Sequence, residues 1–267
     1  MRISIIIAIS ILIIGTSAML GSGYRLLETN RMYAEADDAY ENMSNTIRQP
    51  STEATPVFLS NENVGISAVP PERNEQQIHI PDFEINFELL HLINNDAAAW
   101  LYSPGTVIDY PVMRADDYRY YLNHLADGTV NANGSLFIDY NNAADFSEPL
   151  TVIYGHHMKS GSMLGSLKGY KAQSYYNEHP YMYLYTKQGN YRIDIMYGCV
   201  VAEGQWREQS FMYSDNIDAL LEYALQNTTF RSDVSYQEGD RVVALSTCSY
   251  EFDDARYVLI GVLRFVP

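Results

Sequence analysis

Apolar and polar positions divide the chain into three regimes. Residues 3–20 are almost continuously apolar and carry no charge, with Arg2 immediately before them. A spanning helix needs roughly 20 such residues and a signal-peptide core roughly 7–15, so the run predicts an uncleaved membrane anchor over residues 1–23. The small residues of Ser17-Ala18-Met19-Leu20-Gly21 offer cleavage as the alternative. Arg2 and the terminal amine favour an amino end held in the cytoplasm, which turns the rest of the chain outward, although Arg25 and Arg31 on the other flank make that asymmetry thin. From Tyr24 to Ile47 the pattern reads as a polar, acidic helix, with Leu27, Met32, Ala36 and Tyr40 too loosely spaced for a strong apolar stripe. From Arg48 to Gln77 Pro, Ser, Asn, Thr and Glu take over, including Pro70-Pro71. Residues 24–77 therefore read as a helical and flexible stalk below a folded domain of residues 78–267.

Within that domain the period changes repeatedly. Phe83, Phe87, Leu90 and Ile93 recur at helical spacing and predict one amphipathic helix. Strands are predicted over Thr106–Met113, Ser135–Tyr140 and Leu150–Tyr154, with a short helical turn at Tyr118–Leu122. Tyr181–Thr186 and Tyr191–Val201 flank a Gln188-Gly189-Asn190 turn, a hairpin pattern. Ile217, Leu220, Leu221, Ala224 and Leu225 share one face of a second helix. Two apolar runs close the chain, one ending at Cys248 and one starting at Arg256. Many short strands with few helices predict a closed or nearly closed β-barrel rather than a βαβ layout.

Composition narrows the function classes. Hydrophobic residues make up 47% of the 267, enough for a sizeable core. The net charge of -16 argues against nucleic acid or an anionic lipid surface as the main partner. Tyr occurs 23 times and Trp twice, which suits a sheet-rich domain. With only Cys199 and Cys248, the chain is neither a disulfide scaffold nor a Cys-based zinc protein.

The candidate chemistry follows from the strand ends. Cys248 ends an apolar strand at a polar loop, and Arg256 begins the next strand. A thiol activated by a nearby cation or base can attack a carbonyl, and a guanidinium can steady the oxyanion. Burial as a core residue is the competing reading of Cys248. Cys199 alternates with Ile193, Ile195, Tyr197 and Val201 on a face that reads as core-directed. A Cys199–Cys248 disulfide would silence the nucleophile, so the enzyme reading requires two free thiols. His156 and His157 follow an apolar strand closed by Gly155, again a strand-end placement. His79, His91, His124 and His179 read as solvated surface. No carboxylate or third histidine stands at ligand spacing from His156-His157, so no metal or other cofactor is expected.

Tyr154-Gly155-His156-His157-Met158, followed by Lys159-Ser160-Gly161-Ser162-Met163 and by Leu245-Ser246-Thr247-Cys248 through Arg256, resembles the class B sortases of Gram-positive bacteria. Further motifs in family order are Ile85-Asn86-Phe87, Tyr110-Pro111-Val112, Tyr120-Tyr121-Leu122, Gly134 through Tyr140, and His179-Pro180-Tyr181, so the likeness spans nearly everything from Gln77 onward. The resemblance implies an eight-stranded β-barrel, with amino-terminal helices and a helix in the loop preceding the cysteine strand. It implies Cys248 as nucleophile, His156 as general acid and Arg256 as oxyanion partner. It also implies Leu122, Ser246 and Thr247 as walls of a sorting-signal groove. Ala244 stands where the family usually has Thr.

The reaction implied is transpeptidation: cleavage of a surface protein's sorting signal after Thr, a thioacyl intermediate, and transfer to an amine of the peptidoglycan cross-bridge or its lipid-linked precursor. A single-pass, outward-facing enzyme is where such substrates are met. A secreted cysteine protease is the nearest rival, although papain-type enzymes have Cys before His in the chain. A pilus-polymerising sortase is the other alternative. Its usual Asp-Pro-aromatic lid has only the misordered Pro81-Asp82-Phe83 as a counterpart here.

Overall fold

The computed structural model describes residues 2–51, 81–207 and 217–266, with side chains from residue 19 onward. A single helix, α1 (Arg2–Ile47), runs without a break through the expected boundary at residue 23. Among the described residues no helix is long and apolar enough to cross a membrane. Of the apolar run expected to form the anchor, only Met19 and Leu20 have described side chains, and both are exposed. Most of the expected flexible stalk, residues 52–77, lies outside the described residues.

The second half of α1 is no free stalk. Ala36, Tyr40, Met43 and Ile47 are buried against the barrel's main apolar cluster, at the three- and four-residue steps of one helical face. Tyr40 donates its hydroxyl hydrogen to the Gly134 carbonyl (2.7 Å) and meets Tyr110 edge-on. The chain then forms β1 (Arg48–Pro50), antiparallel to β2 (Phe83–Ile85). Arg48 lies over the Phe83 ring (3.9 Å) and pairs with Asp109, which also accepts a hydrogen bond from Trp100 Nε1 (2.7 Å). Truncating a buried aromatic costs about 3–5 kcal/mol, so Tyr40→Ala lowers Tm by roughly 10 °C, and Tyr40→Phe costs about 1 kcal/mol. Thermal denaturation checks this; an unchanged Tm in Tyr40→Ala would detach the helix from the folded unit.

The single helix expected from Phe83 is split. Asn86 caps the shorter α2 (Phe87–Ile93) by accepting the Leu89 N–H at 3.0 Å, and the three residues before it pair as β2. Eight further strands close the barrel: β3 (Ala97–Tyr102), β4 (Asp109–Met113), β5 (Leu136–Ile138), β6 (Leu150–Tyr154), β7 (Tyr181–Thr186), β8 (Gly189–Ala202), β9 (Val242–Cys248) and β10 (Ala255–Val266). Their order is β10-β8-β7-β3-β4-β5-β6-β9, with β9 returning to β10. Pairs β4–β5 and β6–β9 are parallel and the others antiparallel. Parallel neighbours need long crossovers. The β6-to-β9 excursion contains α3 (Gln173–Glu178), the β7–β8 hairpin, α4 (Glu203–Trp206) and α5 (Asp218–Asn227). The expected closed barrel is present, with α5 in the loop preceding the cysteine strand.

Two apolar layers sandwich the carboxy-terminal strands. Val243, Leu245, Tyr257 and Leu259 fill the interior, while Val242, Ala244, Val258 and Ile260 pack outward under Trp206, Ile217, Leu220 and Ala224. Strands buried on both faces read as unbroken apolar runs, which is the pattern these two show. In β8 the register slips between its pairings with Ile260 and Gly261, leaving Met196 as the extra residue of a bulge. One extra residue reverses the alternation. Ile193 and Ile195 therefore face the interior, whereas Cys199 and Val201 belong to the outer layer. Cys199 is core-directed as expected, but on the opposite side of the sheet from those isoleucines.

Candidate active site

Period-two alternation along β9 puts Ser246 and Cys248 on the outer face, in line with Val242 and Ala244. Arg256 on β10 is the direct cross-strand partner of Cys248. Residues so paired have Cβ atoms about 4.5–5.5 Å apart and side chains on one face. On the other flank, β6 runs parallel to β9 with Tyr154 level with Ser246. The Gly155 N–H continues that ladder to the Ser246 carbonyl (3.2 Å), and Thr247 Oγ1 donates to the Gly155 carbonyl (2.8 Å). His156 therefore leaves the sheet at the level of Cys248. A Cβ at position 155 would lie 2.4 Å from Leu136 Cδ2 and 2.7 Å from Leu164 Cγ, so close packing demands glycine there.

The adjacent histidines have different environments. His156 Nε2 is 2.9 Å from the Leu122 carbonyl, and because a carbonyl only accepts, that nitrogen carries a proton. The His157 ring instead bonds through Nδ1 to the Cys248 carbonyl (2.8 Å) and meets Tyr250 edge-on. His156, not His157, lines the cleft. The other described histidines are half-buried and bound to backbone carbonyls rather than freely solvated: His91 to Ala97, His124 to Tyr120 and His179 to Pro104. His79 lies outside the described residues.

Cys248, Arg256, His156, Leu122, Ser246 and Thr247 all line one cleft of about 300 Å³, together with Tyr118, Phe137, Tyr154, Gly155, Glu203, Trp206 and Arg207. The last three were not expected from the sequence; a four-residue helix has too few positions to show a period. Arg256 donates to Glu203 Oε2 at 2.7 Å. Ser246 Oγ and Trp206 Nε1 are shielded from solvent and have no hydrogen-bond partner among the described residues. Ala244 sits opposite Val152 and Ile260, fully buried in the outer layer and away from the cleft lining. The departure from the family's Thr falls in packing rather than at the thiol.

Both cysteines are free thiols. Burial pushes the Cys199 thiol up to about 12, so it stays protonated and unreactive at ordinary pH, while Cys248 is partly exposed. Iodoacetamide at neutral pH is thus expected to modify one thiol per native chain, on Cys248, and two after unfolding without reductant. Intact-mass measurement counts them, and zero after unfolding would reveal a disulfide.

No family model matches the chain. Sortase B of Listeria monocytogenes is 32% identical over 186 residues, covering 67% of this chain and 75% of that protein. A solved structure of a sortase B complexed with triglycine superposes with a TM-score of 0.61 at 27% identity, over 68% of this chain and 86% of that one. A Streptococcus pyogenes class B sortase involved in pilus biogenesis superposes at 0.60 and 29% identity, over 67% and 97%. With this identity over most of the relative's length, and the same fold in both solved structures, the chain belongs to the class B sortases, a family of cysteine transpeptidases.

Proposed function

We propose that the protein cleaves a carboxy-terminal sorting signal after Thr and joins the new acyl end to a cell-wall amine. The observation that carries this reading is the pairing of Cys248 with Arg256 across β9 and β10, at a cleft that His156 also lines. The Cys248 thiolate attacks the Thr carbonyl, and the Arg256 guanidinium stabilises the charge on its oxygen. His156, as imidazolium, gives its proton to the departing amine as the C–N bond breaks, leaving a thioester on Cys248. An incoming amine attacks that thioester, returns a proton to His156, and forms the new amide as the thiolate departs.

Residues 1–23 would hold the domain at the outer face of the cell membrane, with the segment up to residue 77 as the tether. The partners are then sorting-signal-bearing surface proteins and a peptidoglycan or lipid-linked amine. Likeness to the pilus-biogenesis sortase favours a second reading, in which the accepting amine belongs to another protein subunit. Incubating the enzyme with sorting peptides, with and without triglycine, tests the reaction class. A transpeptidase converts peptide to the triglycine amide at the expense of acid product; acid alone, unaffected by triglycine, would identify a protease.

A further inference from the structure

Arg256 is held before any substrate arrives. Besides its bond to Glu203, its NH1 donates to the Ala255 carbonyl at 3.2 Å. Glu203 is itself fixed at both ends. It follows the last residue of β8, Ala202, which pairs with Ala255, and its backbone N–H donates to the Asp254 carbonyl at 3.0 Å. Its second carboxylate oxygen stands 3.3 Å from Arg207 Nε. Among the described residues Glu203 is the one acid within ion-pair distance of Arg256, and the two side chains are 29% and 22% exposed. A partly solvated pair of this kind adds little to folding stability, so its placement beside Cys248 calls for another account.

We propose that Glu203 is a positioning residue for the transpeptidation. It fixes the plane of the Arg256 fork, so that the remaining N–H groups already point to where the attacked carbonyl's oxygen will carry charge. A guanidinium has five donors in a rigid fork, and Glu203 occupies one of them. Without that anchor the long side chain samples other rotamers, and the oxyanion must order it during the reaction, which slows the chemical step more than binding.

The inference rests on the reading of Arg256 given above, and the test separates the two. Steady-state rates with sorting peptide and triglycine, together with Tm, are measured for Glu203→Ala, Glu203→Gln, Arg256→Ala and the double variant Glu203→Ala/Arg256→Ala of the full chain. The expected result is a roughly tenfold lower kcat for Glu203→Ala, with KM within about twofold and Tm nearly unchanged. Glu203→Gln, which keeps an acceptor, recovers most of the rate. The double variant is no slower than Arg256→Ala alone, because the carboxylate acts only through the guanidinium. A full-speed Glu203→Ala enzyme beside a slow Arg256→Ala enzyme overturns the positioning role alone, as does an equal slowing by Glu203→Ala in both backgrounds. An Arg256→Ala enzyme as fast as the parent overturns the reading of Arg256 and this proposal with it.

Discussion

Cys248→Ala leaves a folded protein in which amide formation from sorting peptide and triglycine falls by at least about 10³-fold. The loss is this large because in the proposed reaction the thioester would form only on that sulfur; without it Arg256 and His156 would have no tetrahedral centre to stabilise or protonate. Stability changes little, since Cys248 ends its strand partly exposed on the outer face rather than inside the barrel. Product quantification beside a melting curve checks both halves. Activity retained in Cys248→Ala would remove the nucleophile assignment.

His156→Ala produces the second large effect, a fall of about 10²–10⁴-fold, the usual contribution of a positioned acid. The amine leaving a peptide bond is strongly basic and cannot depart as an anion, so loss of the proton donor falls on acylation. A substrate with a leaving group that departs without a proton, such as an activated ester, should lose far less. Comparing acylation rates for the two substrates checks this, and equal losses would give His156 a structural role instead. Removing the ring also frees the Leu122 carbonyl, which costs about 1 kcal/mol of stability. His157→Ala disturbs the Cys248 backbone without removing a cleft proton donor, and serves as the matched control.

How legible the molecule was depended on what each segment packs against. β9 and β10 were plain because both faces are buried, which forces apolar residues at nearly every position. β3 was missed: Ala97-Ala98-Ala99-Trp100-Leu101 shows no alternation and starts with the best helix former, and its strand state comes from pairing with β4 and β7 on either side. The β7–β8 hairpin was recognised, but its turn is Lys187-Gln188, and Gly189 already pairs with Thr186. The docking face of α1 escaped notice because Ala and Tyr supply half of it and neither marks a strong stripe. At the site, strand-end placement exposed Cys248, Arg256 and the histidine pair. The Gly-His order of the family picked His156, and it is His156 that lines the cleft while His157 bonds to the Cys248 backbone. Glu203 had no local pattern; only the return of β8 beside β10 brings it to Arg256.

The most direct test of the central claim is intact-mass spectrometry of the protein mixed with a library of sorting peptides, followed by peptide mapping. The predicted result is a thioacyl adduct on Cys248 whose mass ends the peptide at Thr, discharged by added triglycine and absent from Cys248→Ala. The contradicting result is no adduct with any peptide from a protein whose Cys248 still alkylates, or an adduct that survives the Cys248→Ala substitution.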